Sequence, residues 1–131
     1  MRITGGDFKG RTLFFPKGVK ERPTSDFLRQ ALFNLLPPVA GKNFLDLFSG
    51  SGSVGLEAAS RDACHVFLME KSRKLSGVIR KNIQALSLNQ KCTVINVDVE
   101  AGLRTLAGKN YCMDIVFADP PYNRNWLNII F

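Results

Sequence analysis

Apolar positions along the chain follow two rhythms. Short, nearly unbroken apolar runs bounded by turn residues read as buried strands: Asn43–Phe48, His65–Met69, Cys92–Val97 and Met113–Ala118. Between them the apolar positions recur every three or four residues. Leu75, Ile79, Ile83 and Leu86 share one face behind Ser72, a good N-cap. Val54–Arg61 and Glu100–Ala107 are shorter helices, the second stopped by Gly108. Ahead of the first strand, Thr24 or Ser25 caps a helix that sets Leu28, Ala31, Leu32, Leu35 and Leu36 on one face, and Pro37-Pro38 ends it. Residues 2–15 alternate loosely around Gly5-Gly6 and Gly10, as a short hairpin or an extended arm with turns would. Gly18–Pro23 is a basic loop. Strands alternating with amphipathic helices predict an α/β domain whose parallel sheet is covered on both faces.

The strand ends carry the chemistry. Asp46 lies in the first strand, Glu70 follows the second, Asp98 the third and Asp119 the fourth. In doubly wound sheets, ligands bind beyond the carboxyl ends of the strands, so all four acids share one rim. The first strand runs through Asp46-Leu47-Phe48-Ser49-Gly50-Ser51-Gly52 into a helix, and its glycines permit a tight turn and close ligand approach. Gly50, Gly52 and Gly55 match the dinucleotide pattern, with Glu70 in the place of its ribose acid. Asp46 speaks against a pyrophosphate and for a cationic amino-acid group. S-adenosylmethionine carries an ammonium and a sulfonium and no phosphate. Asp46 and the loop residues Phe48, Ser49, Gly50 and Gly52 are therefore assigned to its methionine end, Glu70 to the ribose hydroxyls, and Asp98 with the Val99 N–H to adenine. An N-cap is the other reading of Asp98.

Asp119-Pro120-Pro121-Tyr122 follows the fourth strand. The prolines fix φ and remove two N–H donors, which leaves the acid and a carbonyl to accept from an exocyclic NH₂ while the tyrosine ring stacks on a base. A polar turn ending a strand has the same look.

Charge adds a partner. The 131 residues carry a net charge of +7. Residues 1–42 hold eight Lys/Arg against three Asp/Glu, so +5 of it sits in the leading segment. That imbalance points to a polyanion, nucleic acid above all; a solvated basic face is the alternative. The expected division is a basic N-terminal extension and helix over 1–42, contacting RNA, and a cofactor-binding core over 43–131. No run approaches the ~20 apolar residues of a membrane span, and no leader opens the chain, so the expected setting is the cytoplasm without a membrane. Cys64, Cys92 and Cys112 form no C-x-x-C pair and read as reduced core thiols. With His65 the only histidine, no metal is expected.

Together, Met1-Arg2-Ile3 with Gly5-Gly6, Lys9-Gly10-Arg11, Arg22-Pro23-Thr24-Ser25-Asp26, Asp46–Gly52 and Asp119–Tyr122 stand in an order that resembles the bacterial 16S ribosomal RNA guanine-N2 methyltransferases of the RsmD family, across the whole chain. The resemblance implies a Rossmann-like class I methyltransferase fold and methylation of one guanine N2 in 16S RNA, naked or within an assembling small ribosomal particle. It implies catalysis by Asp119, Pro120, Pro121 and Tyr122, and phosphate contacts from Arg2, Lys9, Arg11, Arg22 and Arg29. Adenine N6 and cytosine N4 are chemically equivalent amines, and a non-catalytic RNA-binding remnant is a reading of another class. The family continues through further strands, and the apolar end at Asn128-Ile129-Ile130-Phe131 leads us to expect a chain shortened at its C-terminus, with a weakly held catalytic loop.

Overall fold

Four parallel strands form the centre of the computed structural model, which describes residues 1–18, 24–109 and 111–120. In chain order the elements are α1 (Asp26–Leu35), β1 (Asn43–Leu47), α2 (Ser53–Ser60), β2 (His65–Met69), α3 (Arg73–Ala85), β3 (Cys92–Ile95), α4 (Val99–Gly108) and β4 (Ile115–Ala118). The spatial order is β3-β2-β1-β4. The chain steps outward from β1 to β3, then returns to lay β4 on the other side of β1. This reversal makes β1 and β4 the walls of a switch-point crevice, where such sheets bind ligands. Asp46 is level with Leu68 on one side and Phe117 on the other.

The two faces of the sheet have separate cores, as the two-residue period of a strand dictates. Phe44, Val66 and Leu68 pack with Leu56, Ile79 and Ile83 of α2 and α3. Leu45, Leu47, Phe67 and Met69 pack with Val99 and Leu106 of α4. The expected Rossmann-like α/β architecture is therefore present. Its helices start where the sequence places caps: the Ser25 and Ser72 hydroxyls accept the Leu28 and Leu75 N–H groups, both at 3.2 Å, and Asp98 accepts that of Ala101 at 2.9 Å. Each such cap contributes about 1 kcal/mol. β1 ends at Leu47 rather than Phe48, because Phe48 adopts φ +54° and turns the chain out of the strand.

Residues 1–13 fold as a small hairpin. Arg2 bridges Thr12 antiparallel, the Ile3 N–H donates to the Arg11 carbonyl at 3.0 Å, and the Gly10 N–H returns to the Ile3 carbonyl at 2.8 Å. Ile3 and Leu13 enter the same core as Phe44. Gly6 sits so close to α2 that a Cβ there would lie 1.9 Å from the Ser60 carbonyl oxygen.

Two expectations need correction. α1 does not bury Leu28 and Leu35, which are 59% and 86% exposed; it turns Arg29 and Phe33 inward. The cause is an ion pair with α2, described below, that outweighs the local apolar stripe. Of the cysteines only Cys92 is buried, its thiol pushed up to about 12 by burial against the opposing pull of Lys91, whereas Cys64 and Cys112 are exposed. Arg22, Pro121 and Tyr122 lie outside the described residues. No helix of the described residues is long and apolar enough to cross a membrane.

Candidate active site

A cleft of about 390 Å³ opens at the carboxyl ends of the strands. That is within the ~300–1,000 Å³ range of small-molecule sites. Asp46, Glu70, Asp98 and Asp119 all line it, one from each strand end, as the chain order of acids implies. Phe48, Ser49 and Gly50 form the glycine-loop side, Val99 the start of α4, and Pro120 the exit of β4.

Asp46 is the buried centre of this rim, at 1% exposure. Its Oδ2 accepts from the Ser49 hydroxyl at 2.7 Å and the Gly55 N–H at 3.0 Å, so the carboxylate stitches the end of β1 to the first turn of α2. Burial pushes its pKa up to about 7; the Ser49 and Gly55 hydrogen bonds oppose this, and the charges of Glu70 and Asp119 add to it. Glu70 uses its two oxygens separately, accepting from Gly50 N–H at 2.9 Å and Ser72 N–H at 2.8 Å. It thereby holds the glycine loop against the start of α3. Gly52 does not line the cleft itself. It caps α2 with φ +80°, and its N–H closes the loop onto the Ser49 carbonyl at 2.8 Å. Gly50 adopts φ +59°, and among the described residues no heavy atom beyond its chain neighbours lies within 4 Å of where a Cβ would stand. Asp98 realises its N-cap role and still faces the cleft.

The donor set decides which kind of cofactor suits this cleft. Among the described residues lining it, four carboxylates face one cationic side chain, Lys71. A pyrophosphate would meet repulsion; a group with a sulfonium and an ammonium would meet attraction. Among the described residues, no group of three or more His, Cys, Asp or Glu is placed to hold a metal ion.

Comparison with known proteins shows the family. The family described as Conserved hypothetical protein 95 matches residues 1–131. The chain belongs to this family. It is 41% identical over 128 residues to the ribosomal RNA small subunit methyltransferase D of Escherichia coli, covering 97% of this chain and 63% of that protein. It is 34% identical over 131 residues to the putative rRNA methyltransferase YlbH of Bacillus subtilis, covering 99% of this chain and 71% of that one. A solved structure, a putative methyltransferase from E. coli, superposes with a TM-score of 0.80 at 38% identity, covering 97% of this chain and 67% of that one. The chain thus spans roughly two thirds of the length of the relatives it matches.

In this family member one buried carboxylate is the hub among the bonds that fasten the basic hairpin to the core, with Ser60 beside it. Glu57 of α2 has 0% exposure; it accepts from the Thr4 and Gly5 N–H groups at 2.9 and 2.8 Å, and from Nε of Arg29 and of Arg61, both at 2.9 Å. Arg29 is spent entirely on this interior work: it also donates to the Thr24 carbonyl, the Arg2 carbonyl and Asp26. At 0% exposure it is no phosphate contact, which corrects its assignment. Arg2, Lys9 and Arg11 are exposed on the hairpin.

Sequence reading missed a second basic surface and one side of the cleft. Arg73, Lys74, Arg80 and Lys81 stand exposed on α3, which carries no acid. The Arg11 guanidinium reaches the Ala85 carbonyl at 3.4 Å, so hairpin and helix present their charge side by side. The run of four cations without an acid was the available signal. Phe15 and Thr24, which bracket the basic loop, also line the cleft; nothing local in the sequence announces that.

Proposed function

We propose that this chain is the cofactor-binding and catalytic part of an S-adenosylmethionine-dependent methyltransferase acting on the exocyclic N2 of a guanine in 16S ribosomal RNA. The observation that carries this reading is the shared cleft: the Asp119-Pro120 end of β4 borders the same space as the acid rim and the glycine loop. The names of the relatives support RNA of the small ribosomal subunit as substrate, free or within an assembling particle, and a cytoplasmic place of action goes with it. Residues 1–42 serve as the RNA-contacting part and residues 43–131 as the cofactor-binding core.

Asp46 and the Ser49–Gly50 segment hold the methionine end of the cofactor. Glu70 holds the ribose hydroxyls, and Asp98 with Val99 holds adenine. The cofactor supplies an electrophilic methyl group on a cationic sulfur. The leaving thioether is neutral, so the protein's task is chiefly to position. Guanine N2 is a weak nucleophile because its lone pair is delocalised into the ring. Asp119 and the Pro120 carbonyl accept from the NH₂, draw it toward tetrahedral geometry and localise that lone pair. Tyr122 stacks on the base, which has left its helix at a cost of a few kcal/mol. The proton is lost to Asp119 or to water. Arg2, Lys9, Arg11 and Arg22, with the α3 cations, meet phosphates and set register without reading sequence.

The test is transfer of labelled methyl from adenosylmethionine to 16S RNA and to small ribosomal particles, followed by nucleoside analysis. N2-methylguanosine is the expected product; N6-methyladenosine or N4-methylcytidine would reassign the base. In a full-length relative, Asp119→Ala lowers the rate by about 10²–10³ and leaves adenosylhomocysteine affinity nearly unchanged. Loss of affinity in step with rate would place Asp119 in the cofactor site instead.

A further inference from the structure

We propose that Phe15 is a cofactor-contacting residue and that Asn82 of α3 is the positioning residue that seats it. The proposal rests on the adenosylmethionine reading of the cleft. Phe14 and Phe15 follow the hairpin and belong to no helix or strand. Such a segment normally gives its backbone groups to water. Here one side chain takes both groups of Phe14. The Asn82 Oδ1 accepts the Phe14 N–H at 2.7 Å, and its Nδ2 donates to the Phe14 carbonyl at 2.9 Å. This is the pair of bonds that a neighbouring antiparallel strand exchanges with a residue, supplied by a single amide.

Asn82 lies inside α3 at 3% exposure, where asparagine is a poor helix former and an unmet amide is penalised. Lys81, its neighbour, places Nζ 3.7 Å from the centre of the Phe14 ring. Phe14 is therefore held by backbone and by ring, with its side chain half-exposed. Phe15, the next residue, lines the same cleft as the glycine loop and the acid rim. An aromatic ring among carboxylates suits a ligand that is both cationic and planar. Adenosylmethionine has both properties. One wall of the cleft thus comes from the basic segment, and ordering that segment and filling the cleft favour each other.

The experiment is calorimetry with adenosylhomocysteine on the 131-residue chain and its variants, each checked for folding by circular dichroism. Phe15→Ala weakens binding about tenfold. Asn82→Ala weakens it by a similar factor, and the double variant loses no more than Phe15→Ala alone, because Asn82 acts through Phe15. Phe14→Ala keeps the backbone that Asn82 grips and binds within about twofold of the parent. Asn82→Asp, which keeps the acceptor and loses the donor, replaces Asn82→Ala if that variant does not fold. Parent-like binding by Phe15→Ala overturns the contact, and additive losses in the double variant overturn the positioning role. A parent that binds no adenosylhomocysteine overturns the cofactor reading, and this inference with it.

Discussion

Glu57 and Asp46 are both sealed from solvent, at 0% and 1% exposure, and both sit on the α2 side of the sheet. Burial pushes each carboxyl up. At Glu57 the Thr4 N–H and the guanidiniums of Arg61 and Arg29 outweigh that push and hold the group below its ordinary range. At Asp46 one hydroxyl and one N–H do not, the neighbouring acids add to the burden, and the group rises to about 7. Burial is thus common to the two, and the supply of donors separates them. Glu57 has its donors in the folded chain and serves as an anchor. Asp46 has no cation paired with it among the described residues and lines an open cleft, the arrangement that its proposed role toward a cationic cofactor calls for.

The largest expected effect tests the anchor. Glu57→Gln strands Arg29 in the interior and should cost about 3–5 kcal/mol of stability in urea denaturation. A loss under about 1 kcal/mol would mean that Asp26 and the Thr24 and Arg2 carbonyls suffice for Arg29. The pH profiles sharpen the contrast, because the two acids act with opposite sign. The lowered Glu57 stabilises above its unfolded value near 4.5, and this is lost as pH falls through its folded value. The raised Asp46 does the reverse: its ionisation removes stability as pH climbs from about 3.8 to about 7. Asp46→Asn should therefore gain up to a few kcal/mol above pH 7 in the ligand-free chain. The same variant should lose the thermal shift given by adenosylmethionine, which NAD should not produce in the parent. An unchanged melting point without ligand would show that Asp46 is not held at a cost.

The smallest effect concerns what Glu57 anchors. Lys9→Ala or Arg11→Ala should weaken RNA binding slightly and lower its salt slope by roughly one per lost phosphate contact. Arg80→Ala should match them if α3 belongs to the same face. RNA binding that does not vary with salt would remove the phosphate-contacting role from both.

The sheet and most helices were legible because their signals are local. Val66–Met69 is a short apolar run, and Ser25, Ser72 and Asp98 are caps that need only the following turn. The order of acids also carried through, because a parallel sheet brings every strand's carboxyl end to one side. The orientation of α1 was not legible. Leu28 and Leu35 look like part of a core stripe, and only the pairing of Arg29 with Glu57, 28 residues on, shows that the helix is rotated to centre Arg29 and Phe33, leaving Leu32 and Leu36 against the core and Leu28 and Leu35 outside. Asn82 was hidden for the same reason, since its partner is 68 residues away. In the candidate site, sequence supplied the acids and the glycine loop, while the wall formed by Phe15 and Thr24 arises from packing between distant segments.

The hairpin has a consequence for the order in which the molecule sets. The fastenings of the hairpin to Glu57 and Ala85, and of Phe14 behind it to Asn82, span 52 to 74 residues, and all of these partners lie on elements that follow in sequence. Contacts of such separation form late, after the shorter loops have closed. At roughly 5–20 residues per second of synthesis, the basic segment waits several seconds for α2 and α3 to emerge. Until then its cations and aromatic rings are without a seat. The Phe15 wall accordingly waits for α3, which carries Asn82, so an intact cleft is itself a report that the N-terminal segment has docked.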